Sequence, residues 1–173
     1  GFLGCGNVGG GVWELLQGFA PQIAHRDQLS IRVKKVLVRD VHKARTCSVP
    51  QELLTTNPDD VLCDPEITLV AEFMGGEQPA TDYLLRALEN GKTVVTANKV
   101  AVALNWHKLQ AAAMAHHVGL YYEASVCGAI PIINALMTPL QRYNELHSEP
   151  HVGAGRALRG GAGGRTAAGT GRA

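Results

Sequence analysis

Six residues near the start, Gly4-Cys5-Gly6-Asn7-Val8-Gly9, constrain this chain more than any other stretch. Their glycines have the spacing G-x-G-x-x-G. They follow Phe2-Leu3, which reads as the end of a β-strand, and precede Val12, Leu15, Leu16 and Phe19, an apolar stripe at helical spacing. A strand entering a helix through such a turn is the context that gives the pattern a mechanism. Gly4 permits a tight turn, Gly6 removes a side chain that would block a pyrophosphate, and Gly9 lets helix and strand pack closely. Gly4, Cys5, Gly6, Asn7, Val8 and Gly9 are therefore the candidate phosphate-binding loop, with amides at the helix N-terminus facing the phosphate charge. The competing reading, that the glycines form only a tight turn, does not require the flanking strand and helix.

The pattern downstream alternates strand with helix. The first helix is expected to end near Pro21. Ile31 to Arg39 reads as a second strand, and Thr46 to Pro65 as a proline-broken loop with one brief helix near Gln51 to Leu54. Ile67 to Phe73 is a compact apolar run typical of a buried parallel strand. A helix follows from Pro79 to Asn90, with Tyr83, Leu84, Ala87 and Leu88 on one face, and then a strand over Thr93 to Thr96. Asn105 is placed as the cap of a helix carrying Trp106, Leu109 and Ala113 on one face and closing at Gly119. Leu120 to Ala124 is a further strand, and Pro131 opens a last helix. This order predicts an α/β fold, a Rossmann-type doubly wound parallel sheet with crossover helices.

Charge is unevenly spread. The 173 residues hold 16 basic and 15 acidic groups, too balanced for a strongly basic nucleic-acid binder. Residues His151 to Ala173 contain eight Gly, six Ala and four Arg with no acid, so residues 1–150 carry a net charge of −3. Such a tail buries too little apolar surface to offset the entropy of ordering it. The expected organisation is a domain over 1–140 and an unstructured Gly/Ala/Arg-rich tail over 141–173, with a first strand that looks clipped. No apolar run has the length of a membrane span, and the opening residues do not read as a signal peptide, so the expectation is cytoplasmic. Cys5, Cys47, Cys63 and Cys127 make no C-x-x-C pair, and the seven histidines contain no H-E-x-x-H. The sequence therefore gives no sign of a His- or Cys-ligated metal.

The end of the second strand bears on which nicotinamide dinucleotide such a loop would take. An acid there would hold the adenosine ribose hydroxyls, whereas the guanidinium of Arg39 suits a 2′-phosphate, with Lys43 and Arg45 adding positive charge. NADP is favoured, and NAD stays open through Asp40 next door.

Three further segments carry a resemblance: Glu72-Phe73-Met74-Gly75-Gly76, Thr96-Ala97-Asn98-Lys99, and Tyr122-Glu123-Ala124-Ser125-Val126-Cys127-Gly128-Ala129-Ile130-Pro131. With Val38-Arg39-Asp40 and the glycine loop, they resemble homoserine dehydrogenase of the monofunctional type over residues 1 to 140. The resemblance implies NAD(P)-dependent interconversion of L-homoserine and L-aspartate 4-semialdehyde, on the route to threonine and methionine. It places Gly75, Ala97 and Lys99 beside the cofactor and makes Lys99 a candidate catalytic residue. On the residues alone, Lys99 could hold a substrate carboxylate or carbonyl, shuttle a proton, or be a solvated surface lysine.

The same resemblance implies a structural sodium-type site using Glu123 with the carbonyls of Val126, Gly128 and Ile130. Ala129 stands where the family has a second glycine, and by sequence alone Glu123 could equally cap a helix or form a salt bridge. The family's substrate-binding half has no counterpart after Leu140, so the chain is expected to be a fragment, inactive alone, of a protein that forms homo-oligomers. Its expected partner is a small-molecule substrate, not nucleic acid or membrane. Another amino-acid oxidoreductase and a non-catalytic dinucleotide-binding module are the alternatives.

Overall fold

The computed structural model describes residues 1–128, 130–134 and 136. Six strands form one parallel sheet in the order β3-β2-β1-β4-β5-β6. They are β1 (Phe2–Leu3), β2 (Val36–Leu37), β3 (Leu54–Thr55), β4 (Leu69–Glu72), β5 (Thr93–Thr96) and β6 (Leu120–Tyr121). The helices are α1 (Asn7–Asp27), α2 (Asp59–Leu62), α3 (Ala80–Glu89) and α4 (Lys99–Ala115). This is the doubly wound order, whose direction reverses between β1 and β4, and ligands of such sheets bind outside the strand carboxyl ends at that reversal.

The pleat of β1 divides the core. Leu3 points into a cluster with Val61, Leu62, Val70, Leu84, Leu88 and Leu109, which joins α2, α3 and α4 to one face. Phe2 points the other way, to Trp13, Val33, Val36, Cys47 and Ala71 beneath α1. Each fully buried leucine contributes on the order of 1.5–3 kcal/mol, so the face holding Leu3, Leu62, Leu84, Leu88 and Leu109 is the better anchored of the two.

Several boundaries differ from the sequence expectation. Helix α1 runs through Pro21 to Asp27. The ring removes one amide donor, but Gln17, whose carbonyl would have received it, is exposed and can take water. The core face of α1 is built on Trp13, with Val12 and Leu16 half-buried, while Leu15 and Phe19 are exposed. The strand expected over Ile31 to Arg39 pairs only at Val36–Leu37, and the loop expected over Thr46 to Pro65 contains β3 and α2 around a 3-10 turn at Gln51–Leu53. Helix α4 starts at Lys99, capped by Asn98, whose side chain accepts from the amides of Val100 and Ala101 at 3.2 and 3.1 Å. Asn105 is not a cap. It is buried inside α4 at a local kink, and its amide reaches Thr81 Oγ1 (3.3 Å) and Glu77 Oε1 (3.4 Å) on and just before α3. The last strand stops at Tyr121, and Glu123 lies in a 3-10 turn. The Gly/Ala/Arg-rich tail and the boundary at residue 140 lie outside the described residues.

Candidate functional site

The turns after β1, β2 and β4 enclose a cleft of about 560 Å³ at the reversal of strand order. A shallower depression of about 680 Å³ is lined by Phe19, Pro21, Gln22, Ile23, His25 and Arg26, all from α1. Among the described residues no second element lines that depression, so the cleft is the candidate site.

The glycine loop forms the floor of the cleft, and its three glycines have different local reasons. Gly4 has φ +97°, and a Cβ there would lie 3.2 Å from the backbone of Phe73 and Met74. At Gly9 a Cβ would come within 2.7 Å of the Gly4 carbonyl, so this position fixes how closely α1 approaches the turn. Nothing lies within 4 Å of a Cβ built at Gly6, which faces open space. Gly6 is also the N-cap of α1, no side chain caps that helix, and its first turn contains no acid. The amides of Asn7, Val8 and Gly9 thus lack an intrahelical partner and present the positive end of the helix to the cleft mouth.

Cys5 lines the cleft and touches Cys47, with the two sulfurs 3.5 Å apart as free thiols. Loss of water, and then the hydrogen bond to Cys47, push the Cys5 thiol up to about 11. Cys47 also packs under the start of α1, since a Cβ at Gly10 would meet its sulfur at 3.1 Å. The pair fastens the segment after β2 to the glycine loop.

On the β2 side, the exposed Arg39 and Lys43 line the cleft, and neither cationic group has a partner among the described residues. Arg45 has a different task from the one its charge suggested. Its guanidinium donates to the carbonyls of Asp40, Lys43 (2.8 Å) and Val41 (3.4 Å), folding the loop back on itself. One oxygen of Asp40 accepts from the His42 amide at 2.8 Å.

On the β4 side the site is built from inside the protein. Glu72, the last residue of β4, is fully buried. Its Oε1 accepts from the amides of Met74 (2.6 Å) and Gly75 (3.2 Å), and its Oε2 accepts from the Thr96 hydroxyl at 2.6 Å. Thr96 Oγ1 in turn accepts from the Asn98 amide at 3.0 Å, and Asn98 Nδ2 donates to the Gly76 carbonyl at 2.6 Å. Glu72, Thr96 and Asn98 were quoted in the sequence motifs but given no role. A carboxylate closing an otherwise apolar buried strand was the signal for the first of them.

The predicted residues do not all meet in one place. Gly75 lines the cleft with the glycine loop and Arg39. Ala97, on the turn between β5 and α4, and the exposed Lys99, the first residue of α4, stand one strand further along, and the Lys99 ammonium has no partner among the described residues. Lys99 occupies the first turn of α4, where the helix dipole disfavours a cation, so local structure does not explain its charge. Glu123 does not line the cleft; its 3-10 turn packs against β5. Its carboxylate oxygens accept from the amides of Ile133 (2.8 Å) and Asn134 (3.0 Å), and the Ile130 carbonyl accepts from the Ile132 amide at 2.8 Å. Both carboxylate oxygens of Glu123 are thus engaged by backbone amides. Three oxygens of the supposed cation cage each accept from one amide, which leaves each of them a second lone pair. Among the described residues no group of three or more His, Cys, Asp or Glu side chains could hold a metal, and no helix is long and apolar enough to cross a membrane.

Residues 4–123 match the family described as homoserine dehydrogenase, NAD binding domain. Homoserine dehydrogenase of Bacillus subtilis is 41% identical over 136 residues, which is 79% of this chain and 31% of the relative. A crystal structure of homoserine dehydrogenase from Thiobacillus denitrificans aligns with TM-score 0.75 and 45% identity, covering 82% of this chain and 32% of that one. A hyperthermophilic archaeal homoserine dehydrogenase in complex with NADPH shares the fold, with TM-score 0.61 and 20% identity over 81% of this chain and 48% of that one. The chain spans about a third of the length of the curated relatives it matches.

Proposed function

Since this chain belongs to the homoserine dehydrogenase family and comprises its NAD-binding domain, we propose that the cleft binds NADP(H) in preference to NAD(H). We further propose that it serves the interconversion of L-homoserine and L-aspartate 4-semialdehyde in the complete protein. The observation that carries the cofactor preference is the pairing of two cations without a partner among the described residues, Arg39 and Lys43, with an Asp40 that is engaged in its own turn. A 2′-phosphate gains charge-assisted hydrogen bonds from that pair, and an unphosphorylated ribose does not.

The residues present fit a dinucleotide. Open space at Gly6 and the uncapped amides of α1 suit a pyrophosphate, and the pinned turn at Gly4 and Gly9 keeps those amides in place. When bound, the cofactor supplies or accepts the hydride. Gly75, which lines the cleft and has no side chain, would leave room for the ring end beyond β4. Lys99 offers an ammonium on the same edge of the sheet, suited to the substrate's carboxylate or carbonyl oxygen. No step runs through a cation at Glu123, Val126, Gly128 and Ile130.

Thermal unfolding of the chain with each reduced cofactor tests the preference. NADPH is expected to raise the midpoint more than NADH does, and equal protection by both would remove Arg39 from the assignment. In the complete enzyme Lys99→Ala is expected to bind cofactor and lose turnover, and retained turnover would exclude Lys99 from the chemistry.

A further inference from the structure

We propose that Glu72 is a positioning residue for the nicotinamide end of the cleft, acting on it through Thr96, Asn98 and the turn at Met74-Gly75. The proposal rests on the dinucleotide reading above and deepens it.

In a doubly wound sheet the adenosine half lies over the strand that follows the glycine-loop helix, here β2, so the nicotinamide half extends past the reversal toward β4 and β5. That half of the cleft is lined by Phe73, Met74, Gly75, Gln78 and Pro79, which lie on or directly after the turn that closes β4, so its shape depends on how that turn and the one closing β5 are held. Both turns hang on one buried group. Glu72 Oε1 holds the amides of Met74 and Gly75, where Gly75 has φ +72°. Glu72 Oε2 holds the Thr96 hydroxyl, and Thr96 holds the amide of Asn98. Asn98 then closes the circuit onto the Gly76 carbonyl and caps α4 directly before Lys99. A fully buried carboxylate is costly unless every oxygen is satisfied, and here each bond that satisfies it also fixes a turn flanking the ring end. A carboxylate placed only to stabilise the sheet would not need to bond the two turns.

Glutamine at position 72 keeps the shape but brings an amide N–H toward Thr96, whose oxygen already accepts from Asn98, so the hydroxyl loses its acceptor. Valine at position 96 removes the same link, and serine preserves it. The experiment compares the full chain with Glu72→Gln, Thr96→Val and Thr96→Ser for binding of NADPH and of adenosine 2′,5′-bisphosphate, which lacks the nicotinamide half. Emission of the bound reduced nicotinamide is recorded alongside. Glu72→Gln and Thr96→Val are expected to weaken NADPH about tenfold, the loss of roughly one hydrogen bond's worth of preorganisation. They should change nicotinamide emission and keep bisphosphate affinity within about twofold of the parent. Thr96→Ser should match the parent.

Equal losses for both ligands would make the network merely structural, and an unchanged NADPH affinity would also overturn the positioning role. Either result leaves the cofactor reading intact. Absence of NADPH binding by the unsubstituted chain would overturn that reading and this proposal together. If Glu72→Gln does not fold, the Thr96→Val and Thr96→Ser pair decides by the same split between ligands.

Discussion

The two flanks of the cleft are made in opposite ways. Beyond β2, Arg39 and Lys43 stand exposed on a loop held by Arg45 bonding to carbonyls of its own segment. Beyond β4 and β5, a buried carboxylate, a buried hydroxyl and a buried amide hold two turns at once. The first flank can change its ligand preference without disturbing the core, whereas the second couples any change of shape to the stability of the sheet.

The largest test of that contrast is stability. Glu72→Ala leaves the Thr96 hydroxyl and two turn amides without their acceptor and is expected to cost about 2–4 kcal/mol in urea unfolding. Arg39→Ala should stay within about 0.5 kcal/mol of the parent. Comparable costs would erase the distinction between the flanks.

A smaller effect is expected within the floor they share. Gly9→Ala forces a methyl against the Gly4 carbonyl and should destabilise by roughly 1–3 kcal/mol. Gly6→Ala meets nothing and should spare the melting midpoint while weakening NADPH binding. Binding unharmed by Gly6→Ala would mean the phosphates lie elsewhere.

Next comes selectivity. Arg39→Ala should reduce the ratio of NADPH to NADH affinity by about tenfold through loss of a charged hydrogen bond. A ratio that does not move would place the discrimination in Lys43 or another group of that loop.

The smallest effect concerns the thiols joining the β2 segment to the floor. With the Cys5 thiol pushed up to about 11 and Cys47 buried, iodoacetamide at pH 8 should modify the exposed Cys63 and Cys127 first. Cys5 labelling should accelerate as pH rises toward that value, because the thiolate is the reactive form. Peptide mapping after timed quenching reads this order, and early loss of Cys5 would show its surroundings to be more open than the packing indicates.

Sequence legibility followed the same division. The glycine loop, the α3 face and β5 could be read because each is local: a turn, a helical stripe and a short apolar strand. The start of α4 was misplaced because two asparagines compete as caps, and only the packed structure shows that Asn105 is drawn to Thr81 on α3 while Asn98 meets the free amides. Leu15 and Phe19 belong to an apolar stripe by spacing, yet α1 packs through Trp13, Val12 and Leu16, leaving those two outside the packed face. Glu123 has the right residue type for a cation ligand, but proximity to the amides of Ile133 and Asn134 depends on a bend that spacing does not reveal.

The position of β1 has a consequence in time. Its two residues pair with Val36–Leu37 on one side and Ala71–Glu72 on the other, so the first strand of this chain to be synthesised is the middle of the finished sheet. At roughly 5–20 residues per second, its second neighbour leaves the ribosome several seconds after it does. Until then Phe2 and Leu3 are an apolar edge with one partner at most, and a chaperone or a neighbouring nascent chain competes with β4 for that edge. The strand on which the glycine loop hangs therefore gains its second neighbour only once β4 has been made, and dinucleotide binding can begin only after β4 has arrived.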